Sequence, residues 1–438
     1  MQNTGKFRQF VGLLERAMSY PTWDGPQEQD VARLLDGAAS EAARTLLTPE
    51  VRQCYGIFFS GHTIGARVAE CLAEPLRNGA SVFDPTCGAG DLLLAAARHL
   101  PLGKTLQRTI DIWTDRIGGT DVHPEFVLAA RMRLLLLAQS LHKLRGDAIS
   151  HINFTDKIFV GVKVADYLAN SDLGCEYDCI IANPPFGDTV APKGCSWSTG
   201  KTQLAAVFVD EIVNRAKGAQ TIVAILPDVL RSGTRYARWR DHIAGKACEG
   251  GVIPYGRFDS YTDVDVFILN IKSRFAQLES SKMVWPSIVC ESNANNKSTR
   301  LGDRFSVRIG PVVPHRHTNV GNWRPYVCVK SAPPFSETEA KKKRRFKGAV
   351  FSPPFVLLRR TSNPMDENRL IPTIVVGEEP VAVENHLIVI MPLVGGLLEC
   401  RELYQHLITK AAREWIDGAI RCRHLTKRVL LEMPLPTE

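Results

Sequence analysis

From Ser81 onward, short and almost purely apolar runs alternate with longer segments whose apolar residues recur every three or four positions. The run "SVFDP" reads as a buried strand, and "GDLLLAAARHL" as the helix that follows it. "DRIGGTD" predicts a second short strand, with the long helix "PEFVLAARMRLLLLAQSLHKL" behind it. Three further strands are expected in "KIFVGVKV", "YDCIIANP" and "AQTIVAILP". Runs without a polar alternate bury both faces, and the helices between them serve as crossovers. That combination predicts an α/β fold, a mainly parallel sheet with helices on both sides. The rhythm then changes. "GGVIPYGRFDS" and "DVDVFILNIKS" are joined by a short loop with no helix, so a hairpin with one antiparallel strand is expected to close the sheet.

Before Ser81, "FVGLLERAM" and "DVARLLDGAASEAARTLL" carry helical periodicity on either side of the break "SYPTWDGP". Residues 1–55 are therefore expected to be a helical segment. Beyond about Ser280, prolines, short strand-like runs and basic turns dominate. A final predicted helix, "LLECRELYQHLITKAAREWIDGAI", precedes the tail. The sheet domain is placed at residues 56–280 and a second, mixed α+β domain at 285–438.

Composition adds exclusions. With 438 residues, 45% hydrophobic and 23% charged, the chain fits ordinary globular domains with real cores. No apolar run approaches the ~18 residues of a membrane span. The opening "MQNTGKFRQFVGLLERAM" lacks the apolar core of a secretory signal, so no membrane association and a cytoplasmic location are expected. The eleven cysteines include no Cys-x-x-Cys pair, and neither a disulfide framework nor a metal site is expected. Net charge is +8, but its distribution matters more. Residues 300–360 hold fourteen Lys or Arg against three acidic residues, densest in "KKKRRFKG". Interleaved with Trp323, Tyr326 and Phe346, this excess points to a face that binds a polyanion.

Two turns and one strand end carry candidate chemistry. "FDPTCGAGDLL" places Asp84 at the end of a strand and Gly88 and Gly90 in the turn after it. Backbone can approach a ligand closely there, with helix N–H groups facing it. "GGTDVHP" ends the second strand on Asp121, a carboxylate placed to accept both hydroxyls of a ribose; a helix N-cap is the plainer role for it. In "DCIIANPPFGD" an apolar strand stops abruptly at Asn183, Pro184, Pro185 and Phe186. An exocyclic amine offers two N–H donors, and the Asn183 side-chain oxygen and Pro184 carbonyl can accept both, with proline fixing the backbone. Drawing on both hydrogens takes the nitrogen lone pair out of conjugation, which makes the amine a nucleophile without a strong base. Phe186 supplies a face on which a base can stack.

The order "DPTCGAGD", "GTDVHP", "ADYL" and "NPPF" resembles the amino-group DNA methyltransferases that use S-adenosylmethionine. The Asn-Pro-Pro-Phe form is most similar to the N6-adenine enzymes of bacterial restriction–modification systems, including type I modification subunits. The resemblance spans about residues 55–275 and implies a Rossmann-like class I methyltransferase sheet. It implies cofactor contacts from Asp84, Gly88 and Gly90 on the methionine side, Asp121 on the ribose, and Val122 or His123 beside the adenine. Asp166 in "VADYL" matches the acid that meets the adenine amino group, and Asn183 borders both cofactor and target. Upstream, Phe59-Ser60-Gly61 stands where the family carries aromatic-Thr-Pro against the cofactor's amino-acid end, keeping the hydroxyl and losing the proline. Phe258 falls where related enzymes place a second aromatic against the flipped base, with a hairpin-core phenylalanine as the competing role.

"PVAVENHLIVIMP" and "RCRHLTKRVLLEMPLP" are similar to target-recognition modules, which implies that 285–438 is a DNA target-recognition domain. Lys341, Lys342, Lys343, Arg344, Arg345, Lys347, Arg359 and Arg360 are its candidates for phosphate or groove contact. The implied activity is methyl transfer to N6 of a flipped adenine in double-stranded DNA, without metal. A separate restriction endonuclease or specificity chain is the implied partner. N4-cytosine methylation is the alternative activity. A DNA-binding protein that keeps the fold only as a scaffold is the alternative class.

Overall fold

A computed structural model of the chain describes residues 4–20, 23–55, 60–147, 152, 154–259, 264–273, 285, 299–314, 316, 319–362, 366, 368–420 and 424–436. The chain divides into two compact units, Met1–Arg231 with Tyr236–Trp285, and Ser232–Arg235 with Pro286–Glu438.

The first unit is built on β1 (Val82–Asp84), β2 (Ile117–Asp121), β3 (Val162–Val164), β4 (Cys179–Ala182), β5 (Thr221–Pro227), β6 (Ala247–Arg257) and β7 (Asp265–Ser273). They form one sheet in the order β3-β2-β1-β4-β5-β7-β6. The first five pair in parallel, while β7 runs antiparallel between β5 and β6, as the helix-free hairpin requires. Strand order reverses between β1 and β4, and the crevice beyond their carboxyl ends is where an open α/β sheet receives a ligand.

Why these strands read as unbroken apolar runs is visible in the packing. Alternate residues feed two separate cores. Ile181, Val223, Ile225 and Ile268 join the core beneath the helices Asp91–Ala97 and Pro124–Leu144. Ile180, Ala182, Ile222, Ala224, Phe267 and Leu269 face Trp239, Phe208 and Ile212 on the other side. Residues before Ser60 pack into the first of these cores through Phe7, Phe10, Leu14 and Val31.

Local structure departs from the apolar pattern in four places. The helix expected across "DVARLLDGAASEAARTLL" is two, Pro26–Leu35 and Ala38–Leu46, because Gly37 turns the chain at φ 78°. Of "KIFVGVKV" only Val162–Val164 pairs as a strand; Phe159, at φ 54°, cannot continue an extended run. A helix unseen in the pattern spans Leu106–Arg116, started by the Thr105 hydroxyl accepting from the Arg108 N–H. The long terminal helix is interrupted at Thr409, whose hydroxyl caps a second helix, Lys410–Ala419, after Leu397–Leu407.

The second unit holds β8 (Phe305–Ile309), β9 (Asn322–Val327), β10 (Ser336–Glu339), β11 (Lys342–Phe346), β12 (Phe355–Arg359), β13 (Pro372–Val376), β14 (Ala382–Val383) and β15 (Leu387–Pro392). A five-stranded sheet runs β8-β15-β12-β13-β10, and a three-stranded one β11-β9-β14. Val356, Leu358, Ile388 and Ile390 pack under the terminal helices through Leu403, Leu407 and Ile416. Their alternates Phe355, Leu357 and Val389 meet Val327, Val381 and Val383 on the opposite face.

Candidate active site

β1 delivers Asp84, 1% exposed, to the crevice. Its Oδ1 accepts the Thr86 N–H at 2.8 Å, which folds the chain back into the glycine turn. The turn is closed by Gly90 N–H to the Cys87 carbonyl (2.8 Å) and tied to β2 by Cys87 N–H to the Thr120 carbonyl (2.8 Å). Gly90 sits at φ 91°, and a Cβ there would lie 3.0 Å from that of Ala130, so glycine is required on two counts. Asp121, at the end of β2, accepts Gly88 N–H at 3.1 Å through Oδ2 and His123 N–H at 2.9 Å through Oδ1. Burial lifts the Asp84 carboxyl to about 8, against the Thr86 hydrogen bond and with the help of Asp121. Burial also raises Asp121, against its bonds from His123 and Gly88. The buried Asp84 carboxyl therefore holds a proton that a cationic ligand would displace.

The glycine turn is braced from beneath. Arg133, 1% exposed, donates to the Ala89 carbonyl and to Asp91 Oδ1, both at 2.7 Å. The same guanidinium donates to the carbonyls of Leu34 (2.9 Å) and Leu35 (3.3 Å). Neither this brace nor the Arg215 contacts described below carries a local sequence signal; each joins residues far apart in the chain.

Asn183 follows β4, where the apolar run ends. Its Nδ2 donates to the Ser60 hydroxyl at 3.1 Å, and Ser60 is itself buried. An amide held by its nitrogen presents its oxygen in a fixed direction. Pro184 is buried, while Pro185 and Phe186 are half-buried. The Phe186 ring meets Phe258 edge to face, centroids 5.7 Å apart, and Phe258 is 5% exposed, so it also serves the hairpin core.

Ser60, Asp84, Gly88, Asp121, Val122, Asp166, Asn183 and Pro185 line one solvent-open cavity of about 760 Å³, with Tyr167 and Phe208 as aromatic walls. Gly90, Pro184, Phe186 and Phe258 stand outside that lining, and Phe59 lies outside the described residues. Thr86, Cys87, Phe126 and Phe208 line the cavity without having been singled out in the sequence.

Residues 45–243 match the sequence model of the N-6 DNA methylases. By that match, this segment is similar to the N-6 DNA methylases. A curated relative, the adenine-specific methyltransferase PglX of Streptomyces coelicolor, is 31% identical over 123 residues, which are 26% of this chain and 10% of the relative. The chain thus spans about a tenth of that protein's length. Among solved structures, the type IIL restriction–modification enzyme MmeI in complex with DNA superposes with a TM-score of 0.54 at 12% identity, over 91% of this chain and 70% of that one. The type IIG restriction endonuclease BpuSI covers 99% of this chain and 67% of its own at a TM-score of 0.47 and 12% identity. At 12% identity the likeness to MmeI concerns the fold alone.

Outside the matched segment, the basic run forms a strand. Lys342–Phe346 is β11, paired antiparallel with β9 so that Arg345 lies opposite Trp323 and Lys343 opposite Pro325. Period-2 alternation sends Lys343 and Arg345 to the face of Trp323, which is 61% exposed. Arg344 turns the other way, its guanidinium 5.6 Å from the Tyr326 ring centre. Lys341 and Lys347 are exposed at the strand ends. Arg359 closes β12, and Arg360 donates to the Asn385 carbonyl at 3.4 Å, so these two belong to another part of the second unit's sheets. No helix among the described residues is long and apolar enough to cross a membrane.

Proposed function

We propose that this chain is a site-specific DNA methyltransferase that transfers a methyl group from S-adenosylmethionine to N6 of an adenine turned out of duplex DNA. The role fits a restriction–modification or related defence system, with a separate endonuclease or specificity chain as partner. One observation carries the proposal: Asn183, oriented by Ser60, opens onto the same cavity as Asp84, Asp121 and Asp166. The relative named as adenine-specific supports adenine as the target base.

The residues fit the cofactor. Asp84 and Asp121 bring two carboxyl groups to the cavity wall, which suits a ligand that carries a sulfonium and an α-amino group. The Gly90 turn leaves room that any side chain would fill. Asp84 and the turn would hold the methionine end, Asp121 the ribose, and Asp166 the adenine amino group. When bound, S-adenosylmethionine supplies a methyl group activated by a sulfonium. Asn183 Oδ1 and the Pro184 carbonyl accept the two amine hydrogens of the target base, which localises the nitrogen lone pair. Unstacking that base costs a few kcal/mol. An aromatic platform such as Phe186 returns about 1–3 kcal/mol. The ribbon bearing Lys343, Arg345 and Trp323 offers cations for phosphates and a ring for bases.

Single-molecule sequencing of DNA from cells expressing the chain tests the proposal. N6-methyladenine in a defined context is expected, and Asn183→Ala should abolish it while leaving S-adenosylmethionine binding within about threefold. N4-methylcytosine, or marks that persist in the variant, would overturn the assignment.

A further inference from the structure

We infer that Arg215 is a positioning residue that sets how strongly the site selects the adenine of its cofactor. The inference rests on the methyltransferase reading above, in which Asp166 meets the adenine amino group.

Residues 165–170 connect β3 to the rest of the sheet as turns, with no ladder or helix of their own. Something else must fix their backbone. Arg215, the last residue of the helix Leu204–Arg215, does so with one side chain that is 12% exposed. Its Nη1 donates to the carbonyls of Tyr167 (2.6 Å) and Asn170 (2.8 Å), and its Nη2 to that of Leu168 (3.2 Å). Nε donates to Glu211 Oε2 at 3.0 Å, which holds the fork in place from the same helix. The guanidinium also lies 4.5 Å from the centre of the Tyr167 ring, which stacks on Phe208 two turns earlier in that helix (6.2 Å, 16°). Three loop carbonyls and one ring therefore converge on a single cation.

The clamp reaches Asp166 through the backbone it holds. Asp166 Oδ1 accepts the Leu168 N–H at 2.9 Å, and the Asp166 carbonyl accepts Asn170 Nδ2 at 2.7 Å. The direction of the carboxylate is thus set by residues whose carbonyls end on Arg215. A lysine in its place keeps the charge and loses the planar fork that serves several acceptors at once. At the helix's other end, Leu204 N–H donates to the Gly187 carbonyl at 2.8 Å, one residue past Phe186. One rigid helix therefore spans the adenine side and the target-base side of the cavity.

The test is calorimetric binding of S-adenosylhomocysteine and S-inosylhomocysteine to the full chain, as wild type, Arg215→Lys and Arg215→Met. The inosine form carries a carbonyl oxygen where adenine carries its amino group, so Asp166 loses a donor. Wild type should prefer the adenosyl form by about tenfold or more. Both variants should cut that preference by about fivefold or more, chiefly by weakening the adenosyl form. Should Arg215→Met fail to fold by circular dichroism, Arg215→Lys carries the comparison. Equal weakening of both ligands, or an unchanged ratio, is what a purely structural role predicts and overturns the inference alone. So does a wild type that binds both equally. A wild type that binds neither overturns the methyltransferase reading along with it.

Discussion

Replacing Asp84 by asparagine probes the electrostatics of the cavity most directly. Burial lifts this carboxyl from 3.8 to about 8, so at pH 7 only about one chain in ten carries it ionised. A cationic ligand that needs the carboxylate must expel the proton, at about 1.4 kcal/mol for each pH unit below 8. From pH 5.5 to 7.0 the affinity for S-adenosylmethionine should therefore rise roughly thirtyfold, with one proton released per ligand bound. The ligand's own α-amino group titrates near 7.7–8.0, so it stays charged over that window. The Asp84→Asn side chain keeps an oxygen for the Thr86 N–H, which Asp84 Oδ1 accepts at 2.8 Å, and so preserves the turn while removing the titration. Calorimetry in two buffers of different ionisation heat counts the protons, and the variant should release about one fewer. Equal proton release from wild type and variant would refute the reasoning. Ligand-free stability follows the same linkage. Between 3.8 and about 8 the folded chain holds the proton that the unfolded chain has lost. The Asp84 contribution is thus fully present below 3.8 and fades as pH rises toward 8, by about 1.4 kcal/mol per unit. Thermal melts should accordingly fall with pH more steeply in wild type than in Asp84→Asn.

Three further outcomes are expected. Ser60→Ala removes the acceptor that orients Asn183, so turnover at saturating cofactor should drop about tenfold, and Ser60→Thr should restore most of it; single-turnover methylation measures this. Gly90→Ala forces a side chain into φ 91° and against Ala130, which should cost about 1–3 kcal/mol in chemical denaturation and weaken cofactor binding. Replacing Lys343 and Arg345 together by Gln should reduce the slope of log affinity for DNA against log salt by about 1.8, read by fluorescence anisotropy.

The sheet was legible because strands buried on both faces leave continuous apolar runs, and β4 and β5 are such strands. Asp84, Asp121 and Asn183 stand out in the sequence because each is a polar residue at or just beyond the end of an apolar strand, whereas Asp166 was reached only through the resemblance of "VADYL" to the family's motif. What pattern could not show was how those ends are held. Ser60 and Asn183 are 123 residues apart, and Arg215 reaches back 48 residues to Tyr167. Such contacts are set by tertiary packing, and no local window contains both partners. Helix breaks at Gly37 and Thr409 were hidden because apolar periodicity persists across them while a single φ or a single hydroxyl ends the helix. The charge of the basic run gave no sign of its backbone: Lys342–Phe346 pairs as an edge of a ribbon, where lysines also discourage unwanted pairing.

Arg133 gives the front of the chain a purpose beyond filling space. Its guanidinium lies in the interior between the glycine turn and the helix Pro26–Leu35, sharing its hydrogens between the two. A fragment trimmed to the matched segment at residue 45 would strip that cation of the Leu34 and Leu35 carbonyls and open it, with the apolar core beside it, to water. On the far side of the cavity the Thr4 hydroxyl approaches His123 Nδ1 at 3.4 Å, next to Val122. The opening helices are thus a keel for the binding turn, and cropping them would damage the site without touching a residue that lines it.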